Sequence, residues 1–223
     1  MSLVVEINEL YKTFQLGVQK VEALRGINLE FASGEFTSIM GESGSGKSTL
    51  LYLIGSLDTP TSGSIKINGR DIASMNDKER SALRRKNIGF VFQFYNLIPN
   101  LNVEDNIILP LLLDGKKRKD NEDDLIETID LVGLSDRKKH LPAELSGGQQ
   151  QRVAIARALM NRPDIILADE PIGNLDSKMG QAIMELFLEI NQKRKTTIIQ
   201  VTHSQVAADY GNRIIRLKDG MVV

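Results

Sequence analysis

The sequence predicts an α/β fold: a mostly parallel sheet with helices on both faces and a helical stretch set into the chain. Three observations predict it. A glycine-rich turn, Gly41-Glu42-Ser43-Gly44-Ser45-Gly46-Lys47-Ser48-Thr49, sits between a strand-like run and an apolar helical one. Residues 94–161 carry mainly helical signals. From Ile165 onward, β-rich runs again alternate with helical ones. The 223 residues suffice for one sizeable core, so we expect a single domain over 1–223 with the helical subdomain inserted in it.

Taken in order, Val4–Ile7 and Ile27–Phe31 read as strands, the second with clean alternation. Tyr11-Lys12-Thr13-Phe14 lies between them and reads as two aromatics near a turn. Ala32-Ser33-Gly34 turns the chain into Glu35–Met40, the strand before the glycine loop, and Leu50–Ile54 continues as a buried helix. Thr59–Gly63 is a turn, and Ser64–Ile67 a short strand closed by Asn68-Gly69. Ile88–Phe92 reads as a buried strand ending at Gln93. A helix start is expected at Asn102; Leu125, Ile126, Ile129 and Val132 fall on one helical face with Gly133 as the stop, and Gln149–Met160 is a further helix. Ile165–Glu170 is an apolar strand with two acids at its end. Lys178–Gln192 is a helix with Ile183, Met184, Phe187 and Leu188 inward. Thr196–Val201 is a β-branched strand, and Asp219-Gly220 joins Arg213–Leu217 to Met221–Val223 as a hairpin.

Composition bears on several function classes. Lys plus Arg is 28 and Asp plus Glu is 29, so a net charge of −1 gives no electrostatic case for nucleic-acid binding. With no cysteine there is neither disulfide nor thiolate chemistry, as suits a reducing compartment. No signal-peptide pattern opens the sequence. The apolar run Ile107–Leu113 is far short of the roughly 20 residues that span a bilayer, so any spanning would fall to another chain. Runs such as Arg84-Arg85-Lys86 and Lys116-Lys117-Arg118-Lys119 read first as solvated helical surface.

The glycine loop carries the chemistry. Gly41, Ser43, Gly44, Ser45, Gly46, Lys47, Ser48 and Thr49 form the pattern in which successive backbone N–H groups cradle phosphate oxygens. The helix that follows adds its unpaired N–H groups and positive end. Lys47 is the point charge for the β- and γ-phosphates, and the Ser48 hydroxyl is a ligand for Mg²⁺. Asp169 would hold Mg²⁺ through water, and Glu170 would polarise the attacking water. A second helix N-terminus, Ser146-Gly147-Gly148-Gln149, is also suited to an anion. Either the chain binds two anions, or the second site completes the first.

Leu145–Gln149 resembles the LSGGQ signature of ATP-binding cassette (ABC) ATPases. Gly41–Thr49 and Ile166–Glu170 resemble that family's Walker A and Walker B segments, Gln93 its Q-loop glutamine, Leu175-Asp176 its D-loop and His203 its switch histidine. These motifs stand in family order along essentially the whole chain. The resemblance implies a P-loop NTPase fold of the ABC ATPase type: a RecA-like, mostly parallel sheet core, an N-terminal antiparallel β-subdomain and the inserted helical subdomain. It implies an ATP hydrolase using ATP and Mg²⁺, with Glu170, His203, Gln93 and Lys47 catalytic and Ser48, Gln93 and Asp169 at the metal. It also implies a head-to-tail sandwich, in which Ser146, Gly147, Gly148 and Gln149 of a second copy close on the nucleotide. Phe14, ahead of Tyr11, resembles the aromatic that stacks on adenine. Pro171-Ile172-Gly173 departs from the family in carrying Ile172 where relatives usually have threonine; the loss of that hydroxyl near the catalytic strand is expected to affect turnover modestly. His140 fits no motif.

Phe92–Pro99 and Leu145–Arg152 resemble one branch in particular, the ATPases of lipoprotein release, macrolide export and antimicrobial-peptide resistance. That implies a peripheral protein on the cytoplasmic face of the membrane, partnered by an integral-membrane subunit in a separate chain and not by nucleic acid. Two other readings stay open: a force-transmitting ATPase of envelope division or signalling that moves no solute, and a soluble ABC ATPase of DNA repair or translation.

Overall fold

The computed structural model describes residues 2–223. Its strands are β1 (Leu3–Leu16), β2 (Gln19–Ala32), β3 (Phe36–Met40), β4 (Ser62–Ile67), β5 (Arg70–Asp71), β6 (Ile88–Phe92), β7 (Ile165–Asp169), β8 (Thr197–Thr202), β9 (Arg213–Lys218) and β10 (Met221–Val222). Its helices are α1 (Lys47–Ile54), α2 (Asp77–Asn87), α3 (Val103–Leu113), α4 (Glu122–Leu131), α5 (Gly147–Leu159), α6 (Ser177–Arg194) and the single turn α7 (Gln205–Ala208).

Two sheets result. One is antiparallel, ordered β2-β1-β4-β5. The other is ordered β10-β9-β3-β8-β7-β6, and every pair in it is parallel except the β9–β10 hairpin. Its central strands are buried on both faces, so Thr37, Ser38, Gln200 and Thr202 lie inside along with the apolar residues of β3, β7 and β8. Alternate side chains feed two cores. Ile165, Leu167, Ile199 and Val201 join α1 and the antiparallel sheet, while Ile166, Ala168 and Ile198 pack with α3, α5 and α6. Helices α3, α4 and α5 lie between β6 and β7 in sequence and pack on one another around Ile107, Ile129 and Ile155.

Register sets the working edge. Met40 pairs with Thr202, Val201 with Asp169, and Asp169 with Phe92. The next residues in each strand's path, Gly41, His203, Glu170 and Gln93, therefore leave the sheet at the same carboxyl edge. That edge is where ligands bind in parallel α/β sheets.

Some local expectations differ from the structure. Tyr11 and Phe14 lie inside β1, not beside a turn; bulges around Glu9, whose φ is 44°, interrupt the alternation that marks a strand. Ile126 is half exposed, since it lies one residue round the helix from Leu125, and Thr128 takes the inward place. On α6, Leu186 and Ile190 are buried where Leu188 is only half-buried. The basic runs are only partly solvated: Arg84 donates to the Ser56 carbonyl at 2.9 Å, and Arg118 pairs with Glu104 (2.7 Å), Asp105 (2.6 Å) and Glu122 (3.4 Å).

Candidate functional site

The glycine loop folds as its composition requires. Gly44 has φ 80° and Gly46 φ 99°, values costly for residues with a Cβ. At Gly46 a Cβ would sit 2.5 Å from the Ala23 carbonyl oxygen, so the loop also needs glycine to lie against β2. Gly46 is the N-cap of α1 and supplies no side-chain cap, which leaves the first N–H groups of the helix free for a ligand.

A cleft of about 700 Å³ opens beside this loop, lined by Ser43, Gly44, Gly46, Lys47, Ser48 and Thr49, by Gln93, Glu170 and His203, and by Val21–Ala23 of β2. Both sheets thus contribute to the lining of the cleft. Gly41 and Ser45 sit behind the loop: a Cβ on Gly41 would strike the Leu217 carbonyl oxygen at 2.2 Å, and the Ser45 carbonyl accepts from Gly220 N–H at 3.2 Å. Lys47 is buried and donates to the Gly41 and Glu42 carbonyls, both at 2.8 Å. Its ammonium has three donors, so one remains for an anion.

At the sheet edge Ser48 Oγ donates to Asp169 Oδ1 at 3.0 Å, and the Tyr52 hydroxyl donates to Asp169 Oδ2 at 2.6 Å. Burial, then the bond to Asp169, push the Tyr52 phenol up to about 12, so it stays a donor at neutral pH. Glu170 has φ 46°, a left-handed conformation that costs a carboxylate residue about 1 kcal/mol or more. Its Oε1 lies 2.8 Å from His203 Nδ1, and its Oε2 accepts from Thr202 Oγ1 at 3.2 Å. Gln93 donates to Asn174 Oδ1 at 3.3 Å, and Asn174 Nδ2 donates back to the Gln93 carbonyl at 3.0 Å.

Two sets of expected residues lie elsewhere. Phe14 does not line the cleft; it pairs across β1–β2 with Val21, which does, and Lys12 Nζ stands 4.7 Å from its ring centroid. Ser146, Gly147, Gly148 and Gln149 are also outside the cleft. They form a closed N-terminus for α5: Ser146 N donates to Gln149 Oε1 at 2.9 Å, and Gln149 N donates to Ser146 Oγ at 3.4 Å. Ile172 packs against the place where Gly180 lacks a side chain, so its extra carbon is used in packing on α6. From α5, Arg157 reaches the loop after Gln93 and donates to the Tyr95 (2.8 Å) and Asn96 (2.6 Å) carbonyls; burial pushes its pKa down.

The oxygen donors at the sheet edge suit a hard cation. Ser48 Oγ and an Asp169 carboxylate oxygen are 3.0 Å apart beside the phosphate loop, and Gln93 lines the same cleft. Mg²⁺ needs one or two such protein groups when phosphate oxygens and waters complete its shell.

With this geometry in place, comparison with known proteins decides the family. The ABC transporter family matches residues 24–173. The chain belongs to the ABC transporter family. It is similar to a lipoprotein-releasing system ATP-binding protein, LolD 1, of Rhodopirellula baltica, with 47% identity over 98% of this chain and 95% of the relative. It is also similar to the macrolide export ATP-binding/permease protein MacB of the same organism, with 44% identity over 98% of this chain but only 32% of that longer protein. Among solved structures it resembles the dimeric post-hydrolysis state of the ATP-binding cassette MJ0796 bound to ADP and Pi. That likeness has a TM-score of 0.90 and 45% identity, over 98% of this chain and 96% of that one. This ABC protein is thus an ATP-binding, ATP-hydrolysing cassette with the expected mixed-sheet α/β fold.

Tyr52, Thr202 and the β2 wall were not singled out by motif. Tyr52 has a readable signal, four residues after Ser48 on one helix, hence on the same helical face. Thr202 directly precedes His203. Nothing in the β2 sequence marks Val21–Ala23 as a cleft wall, because a long-range pairing places them there.

Proposed function

We propose that this ABC ATPase works as two copies closed head to tail, and that it drives a transporter of the lipoprotein-release or macrolide-export kind from the cytoplasmic face of a membrane. One observation carries the reading: Lys47, Ser48, Gln93, Glu170 and His203 gather in one cleft, while Ser146–Gln149 lie outside it. A single chain thus holds half of the expected constellation at each of two places, and a second copy supplies the complement. The dimeric MJ0796 cassette, with ADP and Pi bound, supports the same arrangement.

Within the closed pair, the loop N–H groups and Lys47 would bind the phosphates, and Ser48, Asp169 and Gln93 would hold Mg²⁺. When bound, that ion would neutralise charge on the β- and γ-phosphate oxygens. Glu170 would orient the attacking water and take its proton, with His203 and Thr202 fixing the carboxylate. Phe14 would stack on adenine at the β1–β2 edge. The anion-favouring N-terminus of the partner's α5 would close on the γ-phosphate, so closure depends on ATP and reverses after hydrolysis. No helix among the described residues is long and apolar enough to cross a membrane, so in this reading the membrane crossing belongs to the partner subunit. An apolar groove of about 400 Å³ between β6 and α3, lined by Leu57, Phe90, Phe92, Leu109 and Leu113, with Phe94 72% exposed nearby, would receive that subunit. Arg157 links α5 to this loop, so closure and the groove move together.

Glu170→Gln tests the proposal. It should bind ATP, lose about 10²–10⁴-fold in hydrolysis and accumulate as a dimer in size-exclusion with ATP. A nucleotide-loaded species that stays monomeric would count against it.

A further inference from the structure

The Asp169 carboxylate is held from two sides, and only one of them belongs to the phosphate loop. Ser48 Oγ donates to Oδ1 at 3.0 Å and Tyr52 Oη donates to Oδ2 at 2.6 Å; no other side chain donates to it among the described residues. The Tyr52 contact falls in the short range of a hydroxyl donating to a carboxylate, a bond stronger than a neutral one. Both donors stand on α1 four residues apart, so one helical face presents them to the end of β7. The Tyr52 ring packs against the core that contains Leu50, Leu53 and Leu167, which anchors the phenol independently of the loop.

We infer that Tyr52 is a positioning residue for the metal site, locking the Asp169 carboxylate so that Oδ1 alone is left toward Ser48. This rests on the reading that Ser48 and Asp169 hold Mg²⁺. The physical reason is torsional. The terminal torsion of aspartate is broad and has little rotameric preference of its own. Without a donor on Oδ2, Ser48 is the only side-chain donor left to fix the carboxylate's torsion. A partner that orients a metal-ligating carboxylate sets metal affinity while leaving the phosphate cradle alone, because loop N–H groups and Lys47 hold the nucleotide by separate contacts.

Tyr52→Phe removes the hydroxyl and keeps the ring, so the packing that holds α1 is retained. The experiment titrates Mn²⁺ into protein saturated with ADP and reads bound metal by electron paramagnetic resonance. In parallel, ADP affinity is measured in EDTA and the thermal midpoint is recorded. The expected result is an Mn²⁺ Kd raised about tenfold, with metal-free ADP affinity within about twofold of the parent. An Mn²⁺ Kd within about twofold of the parent would overturn the inference, as would an equal loss of metal-free ADP affinity, which marks general disturbance of the site. Ser48→Ala separates the two levels of the argument. If it also leaves Mn²⁺ binding untouched, the metal site itself is misassigned; if it weakens binding while Tyr52→Phe does not, Tyr52 alone is misassigned.

Discussion

Helices α1 and α5 both begin at glycines, Gly44 and Gly46 just before the first and Gly147 and Gly148 opening the second, yet their N-termini are finished in opposite ways. The first residues of α1 have no side-chain cap and open into the cleft. Those of α5 are closed by Ser146 and Gln149 in a reciprocal capping box, with Ser146 exposed and outside the cleft that Lys47 lines. An uncapped helix start beside a cavity is unfinished without an anion. A capped one is stable alone, but the Ser146 cap bond of 3.4 Å is long for N–H···O, so the hydroxyl is cheaply released to a better acceptor. That difference fits the proposed division of labour, in which the α1 end would hold ligand in the lone chain and the α5 end would meet ligand brought to it.

Each terminus can be disabled by a single substitution. Gly46→Ala has the largest expected effect. It places a Cβ at φ 99° and 2.5 Å from the Ala23 carbonyl oxygen, so nucleotide binding and hydrolysis should both be lost. Equilibrium binding of a fluorescent nucleotide checks this. Ser146→Arg should separate the two activities. It puts a long cation on the exposed α5 terminus, so hydrolysis should fall by about 100-fold or more while nucleotide binding to the monomer stays within about twofold. Loss of monomer binding would place Ser146 in the same site as Lys47.

A smaller effect concerns the platform that carries α5. Glu104 on α3 is buried; burial raises its carboxyl, but bonds from Lys139 and Arg118 outweigh this and hold it below the usual range. Its contribution to stability is therefore present above the unfolded carboxyl's pKa and fades as pH falls through the lower folded value. Glu104→Gln should cost about 1–2 kcal/mol at neutral pH, given the partial exposure of both cations, and lower Tm by about 2–4 °C for each kcal/mol. The difference from the parent should shrink in acid. Thermal unfolding across pH checks both the size and the sign.

The legible parts of this protein are those whose signal is local. The Ile165–Asp169 strand, the loop Gly41–Thr49 and the acids at 169 and 170 announce themselves within a few residues, and parallel register alone brings their ends together. The helix α2 is strongly polar and buries only Leu83, so no hydrophobic face marks it; its capping box at Asn76 and Glu79 was the available clue. Lys12 lies buried in β1 because Asp58, 46 positions away, accepts from it at 2.7 Å, and no local pattern reveals such a partner. The same reasoning separates Glu170, plain from its motif, from Tyr52, whose partner Asp169 lies 117 positions away.

If each ATP site is shared between copies, two inactive variants, Lys47→Ala and Ser146→Arg, should complement each other when mixed. Pairing them leaves one site with both defects and one with neither, since the intact loop of the second copy meets the intact α5 terminus of the first. ATP hydrolysis in the mixture should stand well above that of either variant alone. A mixture no more active than its two components would contradict a shared site.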